Sequence, residues 1–136
     1  MEKRLNNSEK RNAILSALKN TTTHPSADWI FEKVREDCPG IGIATVYRNL
    51  KILLEQNQIF KVDVGDGLDH YDAQTEIPHD HTYCTSCGCI GDIEAISASG
   101  LEQFAKDEFS VEAYSLVLYG KCKKCKQEET LETKVI

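Results

Sequence analysis

Residues 79–87, His79-Asp80-His81-Thr82-Tyr83-Cys84-Thr85-Ser86-Cys87, set two kinds of metal ligand into one short stretch. His79 and His81 form an H-x-H pair, Cys84 and Cys87 a C-x-x-C pair, and a second C-x-x-C, Cys122 and Cys125, lies further along. On an extended strand alternate side chains face opposite ways. His79, His81 and Tyr83 then share one face and Asp80, Thr82 and Cys84 the other, so imidazoles and thiols belong to separate sites. Two C-x-x-C knuckles have the spacing of a tetrahedral four-thiolate zinc site on Cys84, Cys87, Cys122 and Cys125. A pair of disulfides or a redox C-x-x-C competes with zinc. A redox motif ordinarily occurs once, beside a βαβ pattern, and the sequence has no such pattern. Cys38 and Cys89 read as ordinary core or surface thiols.

The histidines need further ligands, and imidazole sites for divalent metals often add carboxylates. Asp72 and Asp92 lie within reach along the chain, and His24 sits at a helix start. A set of His24, Asp72, His79, His81 and Asp92 offers three nitrogens and two oxygens, donors that suit Fe²⁺ or Mn²⁺. Taken singly, His24 before Pro25 is more often a loop or capping residue than a ligand, and Asp72 and Asp92 are more often solvated carboxylates. The residues themselves single out the H-x-H pair and leave the other three as candidates. A catalytic zinc would need an open coordination position and a nearby general base. The four-cysteine site reads as closed and no base stands beside it, so an enzyme is not expected.

The elements that must position these residues fall into two halves. The chain of 136 residues is 40% hydrophobic and 28% charged, a soluble, globular composition long enough for one domain or two small ones. It has no run approaching the roughly 20 apolar residues of a membrane span and no signal-like N-terminus. A cytoplasmic location is expected, where thiols stay reduced and metal is favoured over bridges. The net charge of −6 is uneven: residues 1–60 carry 9 Lys+Arg against 7 Asp+Glu, leaving 7 against 15 for residues 61–136. Two units with different jobs follow from that asymmetry.

Helical periodicity predicts three short helices, over 9–20 with Ser8 as N-cap, from Pro25 to about 37, and over 43–56. Their inner faces are Ala13/Ile14/Ala17/Leu18, Ala27/Ile30/Phe31/Val34 and Val46/Leu50/Leu53/Leu54. A hairpin of 59–64 and 68–72 turns at Gly65-Asp66-Gly67. Three helices and a hairpin make a winged helix-turn-helix over 1–72, with the third helix as reader. Residues 73–78 read as a polar linker or hinge. The unit over 79–136 is expected to hold strands at 80–84, 89–96 and 111–119, a helix at 100–108, and a charged tail. Tyr114, Leu116 and Leu118 alternate with Ser115, Val117 and Tyr119, so both faces of the last strand are partly apolar and it should be central or at an interface. A half this small needs a metal or a partner subunit to stabilise it. The fold class is therefore α+β.

His24-Pro25-Ser26-Ala27-Asp28, Ala44-Thr45-Val46-Tyr47-Arg48-Asn49-Leu50, His79-Asp80-His81 and the two C-x-x-C pairs occur here in order. Together they resemble the ferric uptake regulator (Fur) family of metal-dependent repressors, over about residues 10–126. The resemblance implies a winged-helix DNA-binding domain followed by a small α/β dimerisation domain. It implies structural zinc on Cys84, Cys87, Cys122 and Cys125, and a regulatory Fe²⁺ or Mn²⁺ on His24, Asp72, His79, His81 and Asp92. A homodimer on a pseudo-palindromic double-stranded operator is expected, with the third helix in the major groove and Thr45, Tyr47, Arg48 and Asn49 supplying base and phosphate contacts. Iron sensors of the family tend to carry glutamates at the two carboxylate positions and peroxide sensors aspartates. With Asp72 and Asp92 the chain is most similar to the peroxide-responsive repressors, whose bound Fe²⁺ reacts with peroxide so that a ligand histidine is oxidised; His24 and His79 are the matching targets. An iron-availability repressor, or a manganese or zinc sensor of the same fold, is the alternative. The family's R-x-T-x-Q-R stretch is replaced by Asn7-Ser8-Glu9-Lys10-Arg11. Tyr114 and Lys121 stand where some members place histidines of a further metal site, so that site is expected to be absent.

Overall fold

In a computed structural model, residues 5–73, 77–96, 98–105 and 108–134 are described. They form two compact units that divide between Ile77 and Pro78. The first holds helices α1 (Asn7–Lys19), α2 (Ala27–Arg35) and α3 (Ile43–Glu55), then a hairpin of β1 (Phe60–Val62) and β2 (His70–Asp72). The apolar stripes of the three helices meet as their spacing predicts. Ile14 and Leu18, Ala27, Ile30 and Val34, and Val46, Leu50 and Leu53 form one core, closed by Ile59 and Tyr71. Ala13, Ala17, Phe31 and Leu54, expected inside, are only partly buried against it.

The helix ends show local chemistry at work. Asn6, not Ser8, caps α1: its side chain accepts from the Glu9 amide at 2.8 Å, which puts Ser8 inside the first turn. Helix α2 begins at Ala27 rather than at Pro25, because the Pro25 carbonyl is taken by the Tyr71 amide of β2 at 3.0 Å. Helix α3 stops where Asn57 turns left-handed (φ 57°) and the Gln58 amide reaches back to the Leu53 carbonyl at 3.0 Å.

The second unit carries β3 (His79–Cys84), β4 (Ile90–Glu94), α4 (Ala98–Glu102), β5 (Val117–Gly120) and α5 (Lys123–Lys134). The sheet order is β4-β3-β5, with β4 antiparallel and β5 parallel to β3. The predicted strand over 111–119 is cut to its last residues. His81 pairs with Val117, and β3 starts at His79, so residues before about 115 run past the end of β3, the strand that β5 pairs with among the described residues. β5 is thus an edge strand, not a central one, and both its faces remain partly apolar: Leu118 and Tyr119 are exposed. Of the helix expected over 100–108 the described residues show α4 alone; residues 106 and 107, like 74–76 of the expected linker, lie outside the described residues. The charged tail is helical as α5. Among the described residues of this unit the only buried apolar side chains are Cys84 and Ile90. Such a core is too small to hold three strands by burial alone.

Candidate metal centres and nucleic-acid interface

The two C-x-x-C pairs converge in the second unit. Cys84 ends β3 and Cys87 follows on a knuckle closed by two backbone bonds, Gly88 amide to Cys84 carbonyl at 2.8 Å and Cys84 amide to Cys89 carbonyl at 2.9 Å. Gly88 turns the knuckle at φ 78°, a conformation that costs glycine least. Cys122 precedes α5, and the Lys126 amide bonds its carbonyl at 2.9 Å, so Cys125 rides on the first helical turn. The four sulfurs lie within 4.8 Å of one another, and Cys87 Sγ is 3.8 Å from Cys122 Sγ. Four sulfurs at the usual Zn–S length around a tetrahedral ion are also about 3.8 Å apart. The donor set and its spacing fit zinc.

Backbone amides prime this cluster for a cation. Cys84 Sγ accepts from the Cys122 amide at 3.3 Å and the Cys87 amide at 3.5 Å, and these bonds bring its thiol down to about 5. The Cys125 amide lowers Cys122 in the same way. Cys125 is pushed up, first by its hydrogen bond to Cys122. Cys89, read from the sequence as an ordinary thiol, flanks the cluster: its side chain bonds Cys87 and Cys122, which together with burial pushes it up to about 12. Only the extra cysteine two places after the knuckle could have signalled this. Cys38 is buried in the first unit, as a core thiol should be.

The histidines and aspartates form two groups, one in each unit. In the first unit His24 and Asp72 are both buried, with His24 Nδ1 at 3.8 Å from Asp72 Oδ1. β2 supplies Asp72, and the His24–Ser26 segment lies along the same strand through the Tyr71–Pro25 bond and a bridge between Ser26 and His70. In the second unit strand parity puts His79 and His81 on one face, their rings 4.8 Å apart. His81 stands opposite Asp92 in the β3–β4 ladder. Asp92 Oδ1 is 3.5 Å from His79 Nε2 and 3.6 Å from His81 Nε2. Asp80, on the other face, accepts from the Tyr114 hydroxyl at 2.9 Å. Gly91 keeps this ladder tight, because a Cβ there would stand 2.8 Å from the Thr82 hydroxyl oxygen across the pair.

On α3 the exposed residues are Ile43, Ala44, Tyr47, Arg48, Lys51 and Glu55, of which Ala44, Tyr47, Arg48, Lys51 and Glu55 are spaced as one helical stripe. Tyr47 is 51% exposed and Arg48 is exposed, whereas Thr45 is half-buried. Asn49 is not on that stripe. It is buried, its Oδ1 accepting from Arg11 Nε at 3.2 Å and its Nδ2 donating to the Thr45 carbonyl at 3.0 Å. Lys51, which the sequence reading passed over, continues the stripe one turn after Tyr47 and was legible from that spacing. Asn49→Ala is expected to cost about 1.5–3 kcal/mol, the scale of a hydrogen bond to a charged group. Urea unfolding of the first unit measures this; an unchanged midpoint would return Asn49 to the surface.

Among the described residues no helix is long and apolar enough to cross a membrane. The ferric uptake regulator family model matches residues 2–119. The ferric uptake regulation protein of Bacillus subtilis is 34% identical over 118 residues, covering 83% of this chain and 79% of that protein. The peroxide-responsive repressor PerR of Staphylococcus aureus is 32% identical over 121 residues, covering 88% and 81%. The structure of the Helicobacter pylori ferric uptake regulator Fur, described as having three functional metal binding sites, superposes with a TM-score of 0.77 at 26% identity, covering 90% of this chain and 83% of that one.

Proposed function

The chain belongs to the ferric uptake regulator family of metal-dependent transcriptional regulators, and from that premise we propose that it is a dimeric repressor sensing hydrogen peroxide through Fe²⁺-catalysed oxidation of a ligand histidine. Members of that family are transcription regulators rather than enzymes. The observation that carries the peroxide reading is the length of the carboxylates. Asp72 pairs with His24, and Asp92 with His79 and His81, so each carboxylate beside an imidazole is the short aspartate. An aspartate reaches less far than a glutamate and leaves room at the cation for peroxide.

His24, Asp72, His79, His81 and Asp92 would hold one regulatory Fe²⁺ or Mn²⁺, with zinc on the four cysteines. Bound Fe²⁺ supplies the one-electron chemistry that activates peroxide; Mn²⁺ supports DNA binding without it. His24 and His79 present the imidazoles to be oxidised: one peroxide oxygen ends on the ring and the other leaves as water. An oxidised ring is a poorer ligand, so the two units lose their common tie. The DNA-binding domain is assigned to residues 1–72, a hinge to 73–78 and the dimerisation domain to 79–136. Exposed Phe104, Phe109, Leu118 and Tyr119 support a partner subunit over the second unit. Two copies of α3 would then enter the major groove at two half-sites, with Thr45, Tyr47 and Arg48 toward the DNA and Asn49 holding Arg11 behind them.

An anaerobic experiment tests this. The zinc-loaded dimer, charged with Fe²⁺ or Mn²⁺, is given a slight excess of peroxide and assayed on a duplex selected from a random pool by the Mn²⁺ form. The Fe²⁺ form alone should gain one oxygen on the His24 or His79 peptide and lose DNA affinity by one to two orders of magnitude, a typical allosteric coupling. The similarity to an iron regulator favours a second reading, iron-availability sensing. In that case both forms stay unmodified and DNA binding follows free iron only.

A further inference from the structure

His70 is a buried polar side chain of the first unit that neither the metal nor the DNA reading uses. Both ring nitrogens are engaged. Nδ1 lies 2.9 Å from the His24 carbonyl oxygen and Nε2 lies 2.7 Å from Asp66 Oδ2. Asp66 sits at the tip of the wing between Gly65 and Gly67, both at φ 81°, and its other oxygen accepts from the Leu68 amide at 3.0 Å. The ring therefore joins the backbone of a ligand histidine to the loop between β1 and β2.

The join falls where the backbone is strained. His24 has φ 52°, a left-handed conformation that non-glycine residues seldom adopt, and proline follows it. Such a residue keeps its conformation only when its surroundings over-determine it. Here the His70 ring captures the His24 carbonyl, the Tyr71 amide captures the Pro25 carbonyl at 3.0 Å, and Ser26 bridges to His70. Two residues after His70 the same strand supplies Asp72. One strand thus sets the spacing of both ligands of this half-site, and one ring fixes the strained one.

We propose that His70 is a positioning residue that couples the wing tip to the His24–Asp72 half-site, so that a divalent cation held there and an ordered wing stabilise each other. The inference rests on the regulatory-metal reading above. Coupling between two sites is reciprocal. What fixes the His24 backbone for the cation also fixes Asp66, because a rigid imidazole spans both partners. Metal occupancy would then act on the wing within the same unit.

Two isosteres separate the two bonds. In His70→Asn the amide nitrogen replaces Nδ1 and keeps the His24 carbonyl while releasing Asp66. In His70→Gln it replaces Nε2 and keeps Asp66 while releasing His24. Mn²⁺ alone is titrated into the zinc-loaded full chain, and hydrogen exchange of the peptide spanning residues 63–69 is followed with and without it. In the parent protein Mn²⁺ should slow exchange in that peptide. His70→Gln should weaken Mn²⁺ binding about tenfold, as removal of an outer partner of a ligand does. His70→Asn and Asp66→Ala should lose the slowing of wing exchange and, because the coupling is reciprocal, weaken Mn²⁺ binding by no more than the factor by which Mn²⁺ slows that exchange in the parent. Should His70→Gln fail to fold, Asp66→Ala, altered in the loop, carries the test. If Mn²⁺ leaves wing exchange unchanged in the parent, or if all variants lose affinity only in proportion to thermal stability, His70 is a structural residue and the coupling is overturned. A His24→Ala protein that binds Mn²⁺ as tightly as the parent would instead overturn the regulatory-metal reading, and the coupling with it.

Discussion

Replacing Cys84 by serine should release zinc and unfold the second unit while the first keeps its helices. The first unit buries a contiguous core of three helices and a hairpin. The second buries only Cys84 and Ile90 among its described apolar side chains and leaves Phe104 and Phe109 61% and 66% exposed. A structural zinc contributes on the order of 10 kcal/mol or more of apparent binding free energy at neutral pH, comparable to the whole stability of a small domain. Cys84 is the ligand whose loss should matter most, because it is the buried one, and it gathers the amides of Cys87 and Cys122 from both knuckles. Zinc content together with hydrogen exchange by segment checks the outcome. A variant that keeps one zinc per chain and the parent's protection over residues 78–134 would refute a structural role. The pH dependence has a definite sign. The Cys84 thiol is lowered to about 5, whereas Cys125 is raised and holds its proton at neutral pH. Zinc loading therefore releases protons, and affinity should weaken steadily as pH falls toward and below that value.

What could be read from the sequence was whatever depends on local spacing. The stripes of α1, α2 and α3, the parity that separates His79 and His81 from Cys84, and the two C-x-x-C knuckles all follow from periods of a few residues. What could not be read depends on partners far along the chain. Asn49 looks like an outward polar residue on a reading helix, yet Arg11 on α1 reaches it and draws it inside. The strand predicted over 111–119 has the right composition, but its length is set by where β3 begins. Asp72 and Asp92 read singly as solvated carboxylates. Only the family resemblance raised them to ligands, and their distances to His24, His79 and His81 became visible with the fold. His70 gave no signal at all, since a histidine in a hairpin strand carries no mark of the two oxygens it will meet.

Lengthening one carboxylate should separate metal binding from peroxide sensing. Asp92 Oδ1 faces His79 Nε2 at 3.5 Å and His81 Nε2 at 3.6 Å, and a cross-strand pairing with His81 fixes its place. Asp92→Glu keeps the charge and the donor type and adds one methylene, so an imidazole–carboxylate site for Fe²⁺ or Mn²⁺ survives. Under the peroxide-sensing proposal, the added reach would let the carboxylate occupy space that the aspartate would leave open to peroxide. A misplacement of about 1 Å at a reacting centre can cost on the order of 100-fold in rate, so oxidation of His24 or His79 in the Fe²⁺ form should slow by about 10–100-fold. DNA binding by the Mn²⁺ form should stay within a few-fold of the parent. Asp92→Ala, which removes the donor, should lose metal and DNA binding together and so marks the difference between a missing ligand and a longer one. Stopped-time peptide mass spectrometry on the Fe²⁺ forms, run beside a DNA-binding assay on the Mn²⁺ forms, measures both quantities. If Asp92→Glu is oxidised as fast as the parent, carboxylate length does not gate access to the metal, and the aspartates lose their standing as the reason to read this chain as a peroxide sensor rather than an iron sensor.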